Sequence, residues 1–197
     1  MSVLGVAKSE FILGGQRSGK SRRAEMLARS WLDQSDTNRA VLIATAQPWD
    51  DEMRLRIARH QADRALRVPG IATVEEPLAL AEAINQHSQP HTLVVVDCLT
   101  LWLTNVLMPA ESGVLKENEL LAPEEYGYTA SLLIAVQDSL GPVVLVGNEI
   151  GLGVIPMGRE VRAFVDALGR LNQDVASVCQ RVTLMAAGLP LHLKDCA

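Results

Sequence analysis

The sequence predicts an α/β fold in which a mostly parallel β-sheet carries helices on both faces. Short runs of apolar and β-branched residues alternate with segments of helical period. The runs are apolar throughout, which is typical of strands buried on both faces of a parallel sheet. Strands separated by helices form right-handed βαβ units, so neighbouring strands are expected to run in the same direction.

Five apolar runs are the main strand candidates. They span residues 11–13, 40–45, 92–97, 142–147 and 181–185. A further candidate lies at the C-terminus, around His192. Ligands of parallel sheets bind at the carboxyl ends of the strands. We therefore expect the functional residues directly after these runs.

Segments whose apolar residues recur at helical spacing separate the strand candidates. Apolar residues recur at helical spacing from Ala24 to Leu32, and a longer stripe runs from Val161 to Val178. Residues 99–128 are less regular, and we expect a helix there that is followed by a polar excursion.

Composition limits the function classes. With 197 residues, 48% of them apolar and 21% charged, the chain is long enough to bury a core and too apolar to be disordered. We expect one domain over residues 1–197. A net charge of −5 argues against broad binding to nucleic acid or anionic lipid, because both need a positive surface.

The expected compartment is the cytoplasm. No apolar run approaches the roughly 20 residues that cross a bilayer, and the N-terminus does not resemble a signal peptide. Cys98, Cys179 and Cys196 form neither a disulfide framework nor a metal-binding pattern. We expect the first two to be small core residues and the third to lie on a tail.

A phosphate-binding loop follows the first predicted strand. Residues 14–21 read GGQRSGKS and match GxxxxGK[ST]. Glycines let backbone N–H groups turn toward phosphates, Lys20 reaches the terminal phosphates, and the Ser21 hydroxyl binds Mg²⁺. The following helix directs the positive end of its dipole at the anion. An ordinary glycine-rich turn is the weaker alternative, because the motif has the expected strand before it and helix after it.

Two acidic residues lie at predicted strand ends. Asp97 ends the apolar run 92–97, where a carboxylate can hold Mg²⁺ through water. It can also cap the next helix, and the two roles are compatible. Glu149 follows the run 142–147 and is placed to bind a metal or orient a hydroxyl. The glycines after it either let backbone approach a substrate or form a flexible turn.

A predicted helix over residues 50–67 is acidic at its start and basic at its end, which complements the helix dipole. His60 shares a face with Arg64, and Arg56 lies beside that face. One interpretation is a solvated helix. The other is an anion site in which a neutral imidazole attacks the α-phosphorus of a nucleotide, expels pyrophosphate and holds the nucleotidyl group as a phosphoramidate. Spacing alone does not decide between them.

Together, these motifs resemble the bifunctional adenosylcobinamide kinase / adenosylcobinamide-phosphate guanylyltransferase family of cobalamin biosynthesis. The resemblance covers nearly the whole chain. The phosphate loop is shared by many proteins, whereas the later motifs are much narrower. The matching segments are GGQRSGKSRRAE at 14–25, IATA at 43–46, DDEM at 50–53, RIARHQADR at 56–64, VEEP at 74–77, VVVDCLTLWLTNVL at 94–107, VLVGNEIGLGVIP at 144–156, GRLNQDVA at 169–176 and AGLPLHLK at 187–194.

The resemblance implies a RecA-like P-loop NTPase fold and two reactions. In the first, the hydroxyl of the aminopropanol arm of adenosylcobinamide takes the γ-phosphoryl group of ATP or GTP. In the second, GMP from GTP is transferred to that phosphate, which releases pyrophosphate and gives adenosylcobinamide-GDP. The resemblance also implies a homotrimer as the assembly, and the phosphate loop predicts Mg²⁺ as the cofactor.

The resemblance further implies roles for individual residues. His60 falls on the family's guanylylated histidine. The roles of Lys20 at the phosphates and of Ser21 and Asp97 at Mg²⁺ come from the phosphate-loop motif and the end of the strand. The implied nucleotide contacts are Gly14, Gly15, Gln16, Arg17, Ser18, Gly19, Lys20, Ser21, Ala44, Thr45, Ala46, Gln61, Ala62, Asp63, Arg64, Glu75 and Asp97.

The chain departs from the family pattern at a few positions. Val165 and Gln180 stand where the family often has Arg and Asp, and residues 68–71 lack a common Trp. None of these departures touches the phosphate loop or His60. The Val165 departure puts contacts near the corrinoid or between subunits in doubt.

Two other functions share the phosphate loop. One is a P-loop small-molecule kinase without covalent nucleotidyl transfer. The other is a non-catalytic nucleotide-binding regulator. A covalent GMP adduct would exclude the first, and corrinoid-dependent release of pyrophosphate would exclude the second.

Overall fold

The computed structural model describes residues 4–48, 50–108, 123–154 and 156–196; for Arg56 and residues 123–126 it describes the backbone alone. Within these ranges the chain forms seven strands and six helices. In chain order they are β1 (Ser9–Gly14), α1 (Lys20–Leu32), β2 (Arg39–Ala44), α2 (Asp51–Arg67), β3 (Ala72–Glu75), α3 (Leu80–His87), β4 (Thr92–Asp97), α4 (Leu99–Leu107), α5 (Pro123–Asp138), β5 (Val143–Val146), α6 (Arg159–Val178), β6 (Arg181–Ala186) and β7 (Leu189–Asp195).

The strands form one sheet in the order β3-β2-β4-β5-β1-β6-β7. Every neighbouring pair is parallel except β6 and β7, which are antiparallel. The mostly parallel sheet predicted from the apolar runs is therefore confirmed. The five main strand candidates and the C-terminal one all form strands. The prediction missed β3, a short edge strand whose residues are mostly exposed and which has no apolar run.

Helices cover both faces of the sheet, as predicted. On one face α3, α4, α5 and α6 pack on β1, β4 and β5. On the other face α1 packs on β1, β2, β4 and β5. Cys98 and Cys179 are buried and Cys196 is exposed, which confirms the expectation for the three thiols. None of the helices in the described ranges is long and apolar enough to cross a membrane.

The prediction of a polar excursion after α4 is wrong for its last residues. Residues 123–128 already belong to α5, which begins at Pro123. Proline at the first helical position has the φ that a helix needs, and the acidic residues that follow it in the sequence are typical of a helix start. Residues 109–122 of that excursion lie outside the described residues.

One row of residues crosses the sheet near its carboxyl edge. Ala44 on β2 pairs with Glu75 on β3 and with Asp97 on β4. Asp97 in turn pairs with Val146 on β5, which pairs with Ile12 on β1. The side chains that follow this row share one edge of the sheet, and β5 separates the strand of the phosphate loop from the strand of Asp97.

Candidate active site

The phosphate loop, residues 14–21, joins the end of β1 to the start of α1. Gly14 has a φ of 150°, and a Cβ at this position would collide with the Met185 carbonyl and lie 2.6 Å from Ser18 Oγ. Within the loop, the backbone N–H of Ser18 donates to Gly15 O at 3.3 Å. Ser18 Oγ is buried and has no hydrogen-bond partner among the described residues. The turn therefore requires glycine at position 14.

The turn between β6 and β7 supports the phosphate loop from behind. The backbone N–H of Gly188 donates to Ser18 O at 3.0 Å. A Cβ on Gly19 would lie 3.3 Å from the Gly188 Cα, so the two backbones are in close contact. Residues far apart in the sequence thus hold the loop in place.

Lys20 is buried at the start of α1, and its Nζ donates to Gly15 O at 2.7 Å. Burial lowers the pKa of the Lys20 ammonium, while charge interactions with Cys98 and Asp97 act in the opposite direction. The Asp97 carboxylate is thus close enough to influence Lys20 electrostatically. A cation in a poorly solvated loop interacts more strongly with a phosphate than one in water does.

A buried ion pair lies beneath the loop. Arg23 on α1 donates through Nε to Glu10 Oε1 at 2.8 Å, and Thr183 Oγ1 donates to the same oxygen at 2.9 Å. Arg181 Nη1 lies 3.6 Å from Glu10 Oε2. The sequence analysis did not identify this network. Its signal was Glu10 itself, because a charge in an otherwise apolar strand needs a partner.

Thr45 connects β2 to the residues after β4. Its hydroxyl donates to Cys98 O at 2.7 Å and accepts from the Cys98 N–H at 2.9 Å. The Thr45 N–H donates to Asp97 O at 3.2 Å, and Asn105 Nδ2 donates to Thr45 O at 2.8 Å. Thr45 is completely buried, so its side chain fixes the Asp97 end of β4. Its neighbours Ala44 and Ala46 are half-buried at the same edge.

The residues predicted to bind Mg²⁺ fit that ion. Mg²⁺ in nucleotide sites uses one or two protein oxygen ligands and completes its shell with phosphates and water. Ser21 is half-buried, and its hydroxyl makes no hydrogen bond within the described part of the chain. Asp97 is also half-buried. Among the described residues, no group of three or more His, Cys, Asp or Glu could hold a metal ion.

Helix α2 carries His60 on an exposed surface. Asp50 caps its start by accepting from the Met53 N–H at 2.6 Å. Its C-terminal part is fixed to the body by Arg67, which pairs with Glu25 of α1 at 2.8 Å and with Asp63 at 3.2 Å. The His60 ring therefore projects from a helix that is anchored a few residues later.

Two further residues of α2 that are predicted to contact the nucleotide form hydrogen bonds to side chains of β3. Gln61 Nε2 donates to Glu75 Oε1 at 3.2 Å. Arg64 is buried, donates through Nη1 to Thr73 Oγ1 at 3.2 Å, and has no partner for its Nε within the described residues. His60 and Arg64 thus differ in burial although helical spacing puts them on one face. Ala62 is exposed beside them.

The end of β5 brings Glu149 next to the phosphate loop. The backbone N–H of Glu149 donates to Gly14 O at 3.2 Å, and its Oε1 accepts from the Gly151 N–H at 2.7 Å. Asn148 is held from both sides: its N–H donates to Thr100 Oγ1 at 2.9 Å, and its carbonyl accepts from Asn172 Nδ2 at 3.1 Å. The acidic group noted in the sequence therefore lies on a well-anchored segment.

Comparison of the fold with solved structures gives P-loop NTPases. The flagellar accessory protein FlaH of Methanocaldococcus jannaschii superposes with a TM-score of 0.50 at 9% identity, and the match covers 96% of this chain and 80% of that one. A solved ATPase domain superposes with the same TM-score at 12% identity, covering 91% of this chain and 70% of that one. At these identities the likeness concerns the fold alone. It confirms the predicted P-loop NTPase fold.

Two relatives match almost end to end. The bifunctional adenosylcobalamin biosynthesis protein CobP of Pseudomonas aeruginosa is 44% identical over 186 residues, which cover 94% of this chain and 96% of that protein. The bifunctional adenosylcobalamin biosynthesis protein CobU of Escherichia coli is 36% identical over 193 residues, which cover 93% of this chain and 98% of that protein.

The profile of a protein family gives the same result. The family described as cobinamide kinase / cobinamide phosphate guanyltransferase matches residues 10–193, which include the phosphate loop, α2 and the end of β5. The chain therefore belongs to the cobinamide kinase / cobinamide phosphate guanyltransferase family.

Proposed function

We propose that this chain phosphorylates adenosylcobinamide with ATP or GTP and then transfers GMP from GTP to the new phosphate, giving adenosylcobinamide-GDP and pyrophosphate. Family membership supports both reactions. Both are displacements at phosphorus, so one phosphate loop serves them by positioning and charge stabilisation. All of the residues involved belong to a single catalytic domain in this proposal.

The row across the carboxyl edge of the sheet is the observation that carries this proposal. Glu75, Ala44 and Asp97 are neighbours on adjacent strands, and the phosphate loop leaves the same edge. Three inter-strand steps separate β1 from β2, which is roughly 14 Å. A nucleotide with its phosphates on the loop and its nucleoside directed toward β2 and β3 would contact these segments together.

The phosphate loop holds the phosphates in this proposal. Its backbone N–H groups, Lys20 and the start of α1 supply positive charge around the terminal phosphates. Ser21 and Asp97 would hold Mg²⁺ beside these phosphates. Bound Mg²⁺ supplies further neutralisation of the phosphate oxygens. Thr45 contributes as a positioning residue through its bonds to Cys98.

His60 is the nucleophile of the second reaction in this proposal. An imidazole nitrogen attacks the α-phosphorus of GTP, an N–P bond forms, and the bond to the α–β bridging oxygen breaks as pyrophosphate leaves. The phosphate of adenosylcobinamide phosphate then attacks the same phosphorus, and the N–P bond breaks. The exposed His60 ring is accessible to a nucleotide, and buried Arg64, one helical turn later, has an Nε without a partner among the described residues.

The working assembly in this proposal is a homotrimer, as the resemblance implies, and its compartment is the cytoplasm, as the cysteine usage suggests. Large apolar side chains after β5 support a subunit contact: Leu152, Val154 and Met157 are 82%, 96% and 95% exposed in the single chain. Exposed apolar surface of this kind marks interaction sites. Light scattering that gives the mass of one chain, 21.3 kDa, would contradict the trimer.

Tracing two labels tests the proposed function. With γ-labelled ATP the label should appear on adenosylcobinamide, and with α-labelled GTP it should appear on the guanylylated product together with one pyrophosphate per turnover. His60→Ala should retain the first transfer and lose the second, whereas Lys20→Met should slow both by about 10²- to 10³-fold. A wild-type protein that performs only the first transfer would be a simple kinase. One that performs neither would be a regulator.

A further inference from the structure

The two proposed reactions make different demands on their acceptors. In the kinase reaction the acceptor is a neutral hydroxyl, which must lose a proton as it attacks phosphorus. In the guanylyl transfer the acceptor is a phosphate that is already ionised near neutral pH. A positioned proton acceptor therefore accelerates the first reaction and is not needed in the second.

Glu149 is the carboxylate placed for this task. It follows β5, which lies between the strand of the phosphate loop and the strand of Asp97. Its backbone N–H is bonded to Gly14 O at the first residue of the loop. Its Oε1 accepts from the Gly151 N–H, which fixes the direction of the carboxylate while leaving other lone pairs available.

The other carboxylates of this edge have other partners. Asp97 interacts electrostatically with Lys20 and belongs to the proposed Mg²⁺ site. Glu75 accepts from Gln61, and Glu76 accepts from the backbone N–H groups at the start of α3. Glu149 has no ion pair with Lys, Arg or His within the described residues, so no cation of this part of the chain competes for its carboxylate.

The residues that directly follow Glu149 in the chain, beginning with Ile150, line a pocket. This pocket of about 480 Å³ opens between the segment after β5 and one face of α6. Ile150, Gly151 and Val154 line it on the side of that segment, and Val165, Asp166 and Arg170 line it on the side of α6.

We propose that Glu149 accepts the proton of the substrate hydroxyl during phosphoryl transfer, and that the adjacent pocket receives the arm that carries this hydroxyl. The inference rests on the proposed function. The hydroxyl oxygen forms a bond to the γ-phosphorus, the bond from that phosphorus to the β–γ bridging oxygen breaks, and the nucleoside diphosphate leaves. The hydroxyl proton moves to the Glu149 carboxylate.

The test compares the two reactions in Glu149→Gln. This variant keeps an oxygen that can accept from the Gly151 N–H, so the turn is preserved while the proton acceptor is removed. We expect kcat for phosphorylation of adenosylcobinamide to fall by about 10²- to 10⁴-fold. Guanylyl transfer to adenosylcobinamide phosphate, prepared with the wild-type enzyme, should stay within about threefold of wild type. Glu160→Gln, an exposed carboxylate at the start of α6, is the matched control and should leave both rates unchanged.

Two results would overturn the inference. The first is a Glu149→Gln enzyme whose kinase rate is close to wild type. The second is a parallel loss of both reactions, which would make Glu149 a structural support of the phosphate loop. Failure of the proposed function would look different, because it would be visible in the wild-type protein as a missing kinase or transferase reaction.

Discussion

Arg23 Nε donates to Glu10 Oε1 at 2.8 Å, and this buried ion pair ties α1 to the strand that leads into the phosphate loop. The Glu10 side chain is completely buried and that of Arg23 is 9% exposed. Removing one partner of such a pair leaves an uncompensated charge in the interior, which costs more than the pair itself contributes.

Glu10→Ala should therefore lower the free energy of unfolding by about 3–5 kcal/mol. Urea unfolding monitored by circular dichroism measures this change. Asp33→Ala is the matched control. It also removes the acidic partner of an ion pair with an arginine of α1, but this pair, Asp33 with Arg29, is exposed. That variant should lose less than about 1 kcal/mol. Equal losses in the two variants would contradict the role assigned to burial.

Two neighbouring glycines should respond differently to alanine. Gly14→Ala places a Cβ against the Met185 carbonyl and Ser18 Oγ, and alanine rarely adopts the backbone conformation found at Gly14. A Cβ on Gly15 meets nothing within 4 Å. Strain of about 1–3 kcal/mol in the loop would weaken nucleotide binding by roughly 10- to 100-fold in Gly14→Ala. Calorimetric titration with GTP measures both variants, and equal affinities would contradict the account of the loop.

Lys20→Met should lower the activity of the protein without lowering its stability. Burial lowers the pKa of Lys20, so the ammonium is less favourable in the folded chain than in the unfolded chain. This penalty is fully present below the folded-state pKa and disappears as the pH rises above the unfolded-state pKa. At neutral pH the variant should unfold at the same or a higher temperature, while kcat for both reactions falls about 10²- to 10³-fold. A lower melting temperature would contradict the unfavourable burial of this charge.

One of the three thiols should react rapidly in the folded protein. Burial raises the pKa of Cys98 to about 11 and that of Cys179 to about 12, so both remain protonated at pH 8. Only thiolates attack disulfide reagents. Because Cys196 is exposed, a chromogenic disulfide should label one thiol quickly, and Cys196→Ser should abolish this phase. Rapid labelling of that variant would show that a buried thiol is accessible.

The sequence was sufficient for those features whose signal is local. The apolar runs predicted the central strands, and the spacing of residues 14–21 predicted the loop between β1 and α1. The edge strand β3 was missed because it buries little apolar surface. The start of α5 was missed because a polar composition concealed a helix that begins at Pro123.

The site was harder to predict because its contacts connect distant segments. Nothing near Glu10 in the sequence identifies Thr183 as a partner, and nothing near Ser18 identifies Gly188. Likewise, the sheet order, which no local pattern specifies, puts Glu149 beside Gly14. Those relationships depend on strand register and crossover, whereas the exposed histidine of α2 could be singled out from its charged neighbours and from the family resemblance.

The most direct test of the central claim is to locate GMP on the protein. After incubation with α-labelled GTP, the wild-type chain should carry an acid-labile, alkali-stable adduct, and peptide mapping should place it at His60. His60→Ala should carry no label, while His91→Ala, which removes another exposed histidine, should be labelled like the wild type. A wild-type chain without an adduct, or a His60→Ala chain that still acquires one, would contradict the covalent role of His60.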